Sequence, residues 1–190
     1  QMKLSIIIPC YNEEEGIENL SLQLSPVLRK LSEEWDLELI FVDDGSKDRT
    51  NELLRENFTQ DYVKIIKHDV NKNLGAAMRT GFTNCTGDVV VTMDSDCTYS
   101  PETVLDMLNL MQGDVDVVTA SPYHPHGKVQ NVPEYRLFLS KSISALYRLV
   151  TGSKIHTFTA LFRAQKKEVI DNIKFESHNF LATAEQLIYA

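Results

Sequence analysis

Along the chain, short runs of apolar and β-branched residues alternate with longer stretches in which apolar positions recur every three or four residues. The runs fall at 4–8, 37–42, 63–66, 88–93 and 115–119, with helical patterns between them at about 16–33, 48–57, 73–85 and 101–112. A strand that is apolar at nearly every position has both faces covered, and strands separated by helices pair in parallel. The expected architecture is α/β, a mostly parallel central sheet with helices on both faces. In such sheets ligands sit beyond the carboxyl ends of the strands, so the polar residues directly after each run are the ones to read.

The pattern changes after residue 120. Ser121-Pro122-Tyr123-His124-Pro125-His126-Gly127 has no regular period and reads as a loop. A helix is expected at about 134–151, an apolar segment at 157–164 and a last helix at about 178–189. No internal repeat or low-complexity tract occurs. At 190 residues the chain is long enough for one sizeable core, and it is read as a single domain, 1–190.

The formal net charge of -8 argues against a surface that gathers nucleic acid or anionic lipid by bulk attraction. It leaves room for a nucleotide held through a divalent cation. Cys10, Cys85 and Cys97 form no CxxC pair and are odd in number, which points to free thiols in a reducing compartment and hence to the cytoplasm. No apolar stretch reaches the length of about 18 residues that spans a membrane, and the first apolar run is too short for a signal peptide. The chain stops at Ala190 inside a segment read as helix, so a further C-terminal portion is expected.

The first run ends in Pro9-Cys10-Tyr11-Asn12-Glu13, the second in Asp43-Asp44-Gly45-Ser46, the fourth in Asp94-Ser95-Asp96. A parallel sheet would bring these acids to one rim, where like charges repel unless a cation or a ligand's donors offset them. Asp94 and Asp96, two apart just past a strand, offer hard oxygens suited to Mg²⁺ or Mn²⁺, with a diphosphate and waters completing the shell. The plainer alternative is that Asp96 caps the helix after Pro101 or that both are solvated. Asp44 could accept from a base N–H or a ribose hydroxyl, or it could belong to an ordinary Asp-Gly turn in which Ser46 or Asp48 caps the next helix. Tyr11 could stack on a base and Glu13 could bind ribose. Small residues across 73–81 would let that helix pack closely, with Arg79 able to meet phosphate or base. No Gly-x-x-x-x-Gly-Lys and no GxGxxG occurs, which counts against a P-loop NTPase and a dinucleotide oxidoreductase.

Taken together, Ile8-Pro9-Cys10-Tyr11-Asn12-Glu13, Val42-Asp43-Asp44-Gly45-Ser46, Asn73-x-Gly75 and Asp94-Ser95-Asp96 with Pro101-Glu102 resemble the family 2 glycosyltransferases of GT-A fold. The order and spacing agree over about 3–120, which makes 1–120 the nucleotide-sugar half and 121–190 the acceptor half. Further similarity to the dolichol-phosphate mannose synthase and polyprenyl-phosphate branch runs through 134–140, 157–163 and Glu185. The resemblance implies a Rossmann-like GT-A sheet and inverting transfer from a GDP- or UDP-sugar to a lipid phosphate. It implies that Pro9, Tyr11, Glu13, Asp44, Arg79 and Ser95 hold the nucleotide. Asp94 and Asp96 would bind Mg²⁺ or Mn²⁺, with Thr98 as a further metal contact, and Arg136, Ser140 and Arg163 would bind the acceptor. Peripheral membrane association would come through a segment beyond Ala190.

The acceptor half departs from the family pattern. The expected Gly-Ser-Arg reads Ala120-Ser121-Pro122, and the expected Asp-x-Thr-Ser-Gly-Phe-Arg reads Thr157-Phe158-Thr159-Ala160-Leu161-Phe162-Arg163. Two alternatives stay open at this point. One is transfer to a hydroxyl of a glycan or other acceptor, with Glu185 as the catalytic base. The other is a nucleotide-binding module that has lost transfer.

Overall fold

The computed structural model describes residues 1–120 and 161–172. In chain order the elements are β1 (Lys3–Cys10), α1 (Ile17–Glu34), β2 (Asp36–Asp43), α2 (Thr50–Asn57), β3 (Val63–Lys67), α3 (Leu74–Asn84), β4 (Val89–Thr92), α4 (Thr103–Leu110), β5 (Val117–Thr119), β6 (Arg163–Lys166) and α5 (Lys167–Asn172). The helices expected at 134–151 and 178–189 lie outside the described residues.

The strands form one sheet of order β3-β2-β1-β4-β6-β5. β1 is central and parallel to both neighbours, in register from Lys3↔Asp36 to Cys10↔Asp43 with β2 and from Leu4↔Val89 to Ile7↔Thr92 with β4. Alternation along the strands divides the core in two. Ile6, Ile8, Leu39, Phe41 and Val91 face α1, α2 and α4, while Ile7, Ile40, Val42 and Val90 face α3 and Ile170 of α5. Each such side chain contributes about 1.5–3 kcal/mol by leaving water, so both faces hold the sheet. The α/β architecture with helices on both faces is the one expected, and it is the GT-A arrangement.

Periodicity gave no sign of β6. It runs antiparallel between β4 and β5, pairing Thr92↔Arg163 on one side and Thr119↔Arg163 on the other. Its antiparallel course returns Leu161 to the rim where β1, β2 and β4 end, and Thr92 Oγ1 donates to the Leu161 carbonyl at 2.5 Å.

α1 owes its position to Ile17, Leu20, Leu24, Val27, Leu28 and Leu31, all buried and spaced three or four apart. Pro26 interrupts its hydrogen bonds on the exposed side, where water can reach the carbonyl that loses its partner. α3 packs on the sheet through Ala77, Met78 and Phe82, and comes closest at Gly81, which has no side chain. A Cβ at Gly81 would lie 2.4 Å from Ile7 Cγ2 of the central strand.

That contact sets a prediction. Gly81→Ala gains up to about 1 kcal/mol of helix propensity but overpacks the α3–β1 contact, which typically costs about 1–3 kcal/mol. Urea unfolding should show a net loss, and the loss should be smaller in an Ile7→Ala background. Equal losses in both backgrounds would show that α3 shifts freely on the sheet.

Candidate active site

The site is assembled where β1, β2 and β4 end, and its first requirement is that two loops hold still. The β1–α1 and β2–α2 loops are joined by reciprocal bonds between side chains and backbone. Asn12 N–H donates to Ser46 Oγ (3.0 Å) and Glu13 N–H to Thr50 Oγ1 (2.7 Å), while Lys47 N–H donates back to Asn12 Oδ1 (2.9 Å). Glu14 N–H reaches Asp48 Oδ2 at 3.1 Å, and Arg49 N–H returns to Glu14 Oε2 at 3.0 Å. Asn12 adopts the left-handed conformation (φ 53), which asparagine tolerates better than most residues. Asp48 Oδ1 accepts from the Thr50 N–H and hydroxyl at 3.0 and 2.6 Å, and Ser46 serves the other loop. Asp48 thereby satisfies the first N–H of α2, as one of the sequence alternatives had it, while Ser46 does not cap the helix and Arg49, directly before it, makes no side-chain capping bond.

Asp43 and Asp44 divide the work of the second motif. Asp43 is fully buried and closes the turn by accepting Ser46 N–H at 2.9 Å. Asp44, 3% exposed, is held through Oδ1 alone, by His68 Nδ1 at 2.6 Å and by Lys72 N–H at 2.9 Å. The β2–β3 register, Asp43 level with Lys67, supplies the first of these bonds, and Gly45 makes room for the second: its φ is +74, and a Cβ there would meet the Val70 carbonyl carbon at 2.4 Å. The loop after β3 can therefore close over the loop after β2.

Past β4, Asp94 is largely buried while Asp96 is exposed. Asp96 Oδ1 accepts the Thr98 N–H at 2.9 Å, a local turn and not a cap on α4. Burial, with the charges of Asp96 and Glu13 adding to it, pushes the Asp94 carboxyl up to about 6. Burial also raises Glu13, aided by Asp96 and Asp48 and opposed by a hydrogen bond from Ser95. Carboxylates crowded in a poorly solvated rim resist ionisation, and a cation relieves them.

These groups line one cleft of about 390 Å³, formed by Pro9, Cys10, Tyr11, Glu13, Asp44, Asn71, Asn73, Leu74, Ala77, Asp94, Ser95, Asp96 and Leu161. The donor set suits a hard divalent ion. Burial holds the Cys10 thiol protonated well above its ordinary range, and both ring nitrogens of His68 are engaged, so neither offers the soft or imidazole ligand that zinc favours. Among the described residues no group of three or more His, Cys, Asp or Glu is gathered to hold a metal unaided. Asp94 and Asp96 would thus share an ion with a ligand's oxygens.

Of the residues picked out from sequence, Pro9, Tyr11, Glu13, Asp44, Asp94, Ser95 and Asp96 come together on this cleft. Arg79 and Thr98 do not line it: Arg79 is half-buried on α3 and Thr98 is exposed. Arg163 is 1% exposed between Thr92 and Thr119, also away from the cleft lining. Arg136, Ser140, Glu185, His124 and His126 lie outside the described residues.

The glycosyl transferase family 2 model matches residues 5–174, which include every cleft residue. The chain belongs to that family. It is 34% identical over 189 residues to a dolichol-phosphate mannosyltransferase of Pyrococcus furiosus, covering 98% of this chain and 53% of that one. It is 35% identical over 173 residues to a polyprenol monophosphomannose synthase of Mycolicibacterium smegmatis, covering 88% and 63%. These relatives fall in the polyprenyl-phosphate branch, as the motifs implied, and the chain spans about half the length of most of those it matches. Among solved structures it superimposes, with a TM-score of 0.74 and 21% identity, on glucosyl-3-phosphoglycerate synthase from Mycobacterium tuberculosis in complex with Mn²⁺ and uridine-diphosphate-glucose, covering 98% of this chain and 63% of that one. At that identity the likeness concerns the fold.

Family membership accounts for the motifs, and the geometry adds residues that the sequence did not single out. His68 and Asn71 sit in a stretch with no recognisable motif; the β2–β3 register, Asp43 level with Lys67, sets His68 beside Asp44, and the contact over Gly45 carries the loop on to Asn71 at the cleft. Leu161 reaches the cleft through the antiparallel return of β6.

The raised Asp94 carboxyl makes a testable statement about stability. Its ordinary value is 3.8 and the folded value about 6, so between these the folded state holds a proton that the unfolded state has released. Stability is therefore lost as pH rises through that window and stays lower above it. In EDTA, Asp94→Asn should raise unfolding stability at pH 7.5 by up to about 3 kcal/mol and have little effect at pH 4. A gain of equal size at both pH values would remove burial of charge as its cause.

Proposed function

We propose that the chain is the catalytic part of a metal-dependent inverting glycosyltransferase that moves a sugar from a GDP- or UDP-sugar to a polyprenyl or dolichyl phosphate. The observation that carries this reading is the cleft itself: Asp94 and Asp96 at one end and the immobilised Asp44 at the other, with Tyr11 and Glu13 between. The names of the relatives, a dolichol-phosphate mannosyltransferase and a polyprenol monophosphomannose synthase, support the acceptor class. The neighbour that holds Mn²⁺ and uridine-diphosphate-glucose supports a divalent ion and a nucleotide sugar.

In this reading Tyr11, half exposed on the rim, stacks on the base, and Asp44 accepts a hydrogen bond from the nucleoside. Glu13 faces the ribose. Asp94 and Asp96 would hold Mg²⁺ or Mn²⁺ together with the diphosphate, and the ion would supply charge stabilisation to the leaving group. Burial of Asp94 raises the effective strength of its attraction for a cation, because water screens it poorly there. The lipid phosphate oxygen attacks the anomeric carbon from the opposite side. Being already ionised, it requires no strong general base. Arg136 and Ser140, four residues apart and hence on one face if that segment is helical, are the residues proposed to grip this phosphate. Among the described residues no helix is long and apolar enough to cross a membrane.

Two measurements test this. Calorimetry should show nucleoside-diphosphate binding strengthened by Mn²⁺ in the parent and indifferent to Mn²⁺ in Asp96→Ala; the same dependence in both would take Asp96 out of the metal shell. In a chain extended beyond Ala190, transfer to a short polyprenyl phosphate should fall by about 10-fold or more in Arg136→Ala, the loss of a charge-assisted bond. Transfer to a sugar hydroxyl and never to the lipid phosphate would overturn the acceptor, and binding with no transfer at all would leave a nucleotide-binding module.

A further inference from the structure

His68 contacts the site without lining the cleft, and the function proposed above makes no use of it. It stands directly after β3 and is 7% exposed. Both ring nitrogens are engaged: Nδ1 lies 2.6 Å from Asp44 Oδ1, and Nε2 lies 2.8 Å from Thr80 Oγ1 on α3. An ionised carboxylate can only accept, so Nδ1 carries the proton shared with Asp44. The same Oδ1 also accepts the Lys72 N–H at 2.9 Å. Two donors on one oxygen keep the carboxylate from turning about its own bond, and neither uses Oδ2. Asp44 lines the cleft, and Oδ2 is the acceptor it has left to offer.

The strand order says which part of a nucleotide meets that acceptor. β2, β1 and β4 lie side by side, so Asp44 and Asp94 stand two strand spacings apart with Pro9 and Tyr11 between them. Two spacings are about 10 Å, roughly the reach from a nucleotide's base to its phosphates. With the diphosphate beside Asp94 and Asp96, the ribose falls over β1 and the base over the end of β2.

We propose that His68 is a positioning residue: it fixes Asp44 as an acceptor for the ring N–H of the nucleobase and so sets base selectivity. This rests on the reading of Asp44 as a nucleoside ligand. An oriented carboxylate favours uracil (N3–H) over cytosine, and guanine (N1–H) over adenine, because the matching ring nitrogen of the disfavoured base is itself an acceptor. A carboxylate free to rotate could turn away from that repulsion, and the preference would shrink.

The test compares UDP with CDP, and GDP with ADP, by calorimetry with Mn²⁺ on the 190-residue chain. The parent should favour the N–H base of at least one pair by about tenfold or more. Two substitutions of matched polarity separate positioning from mere support. The amide nitrogen of His68→Asn falls near the place of Nδ1 and keeps a donor to Asp44. That of His68→Gln falls near Nε2, keeping the Thr80 side and losing Asp44. Asn should preserve most of the preference, and Gln should reduce it to within about twofold, the residue of a lost hydrogen bond. If Asp44→Ala erases the preference while Asn and Gln behave alike, His68 is not the positioning residue. If Asp44→Ala leaves nucleotide affinity unchanged, the nucleoside reading of Asp44 is what fails, and the proposal falls with it. Nitrogen-15 spectra of the parent supply a check that needs no variant: a His68 ring with a bare Nδ1 would overturn the proposal.

Discussion

Everything at the site depends on the parallel pairing of β1 between β2 and β4. Cys10 is level with Asp43 and Ile7 with Thr92, so the residues that leave these three strands leave at the same edge. A parallel sheet has no turn at that edge to tie one strand to the next, because each connection departs through a helix on one face. The rim is left as a row of short loops whose side chains converge. Shifting β2 by one residue would send Leu39 and Phe41 to the face of α3 and carry Asp43 into the place of Asp44. The two-faced core, with Ile6 and Ile8 on one side and Ile7 on the other, makes such a slip costly.

Given that rim, two physical problems remain, and the chain solves them differently. Loop mobility is removed by hydrogen bonds that join one loop to the other, chiefly Asn12 with Ser46 and Lys47, and Glu13 with Thr50. Charge crowding is left in place. Asp94, Asp96 and Glu13 have few internal donors, and burial with mutual repulsion raises Asp94 and Glu13. The contrast with Asp44 is informative, since its Oδ1 is satisfied twice. The rim thus has a hydrogen-bonded, oriented end and an end whose carboxylates still lack, among the described residues, a partner of positive charge. A nucleotide diphosphate accompanied by a divalent ion has the matching polarity, with donors at the base and cationic charge at the phosphates.

The comparisons sharpen what is shared. Identity of 34–35% with relatives of the polyprenyl-phosphate branch extends over 88–98% of the chain. Superposition at a TM-score of 0.74 on a protein only 21% identical shows how far the sequence can change while the same sheet persists. The features that hold the sheet in this chain are those already named: apolar strands buried on both faces and a glycine where α3 meets β1.

The sequence alone determined the parallel sheet, its helices and the strand-end carboxylates. Continuous apolar runs and helical periodicity are local properties, and the Pro9–Glu13, Asp43–Ser46 and Asp94–Asp96 segments mark their own strand ends. It could equally well have made Ser46 and Asp96 helix caps, because such side chains satisfy whichever backbone group is near. Only the tertiary structure decided that Ser46 and Thr50 hold the neighbouring loop, that Asp48 reaches Glu14 as well as the start of α2 and that Asp96 closes a turn on Thr98. It also decided the antiparallel insertion of β6 and the burial of Arg163, since four residues of mixed polarity carry no signal of their partner strand. The His68–Asp44 pair is of the same kind. It spans 24 residues and exists because β2 and β3 pair in parallel with Asp43 level with Lys67, a register that no periodicity along the chain encodes.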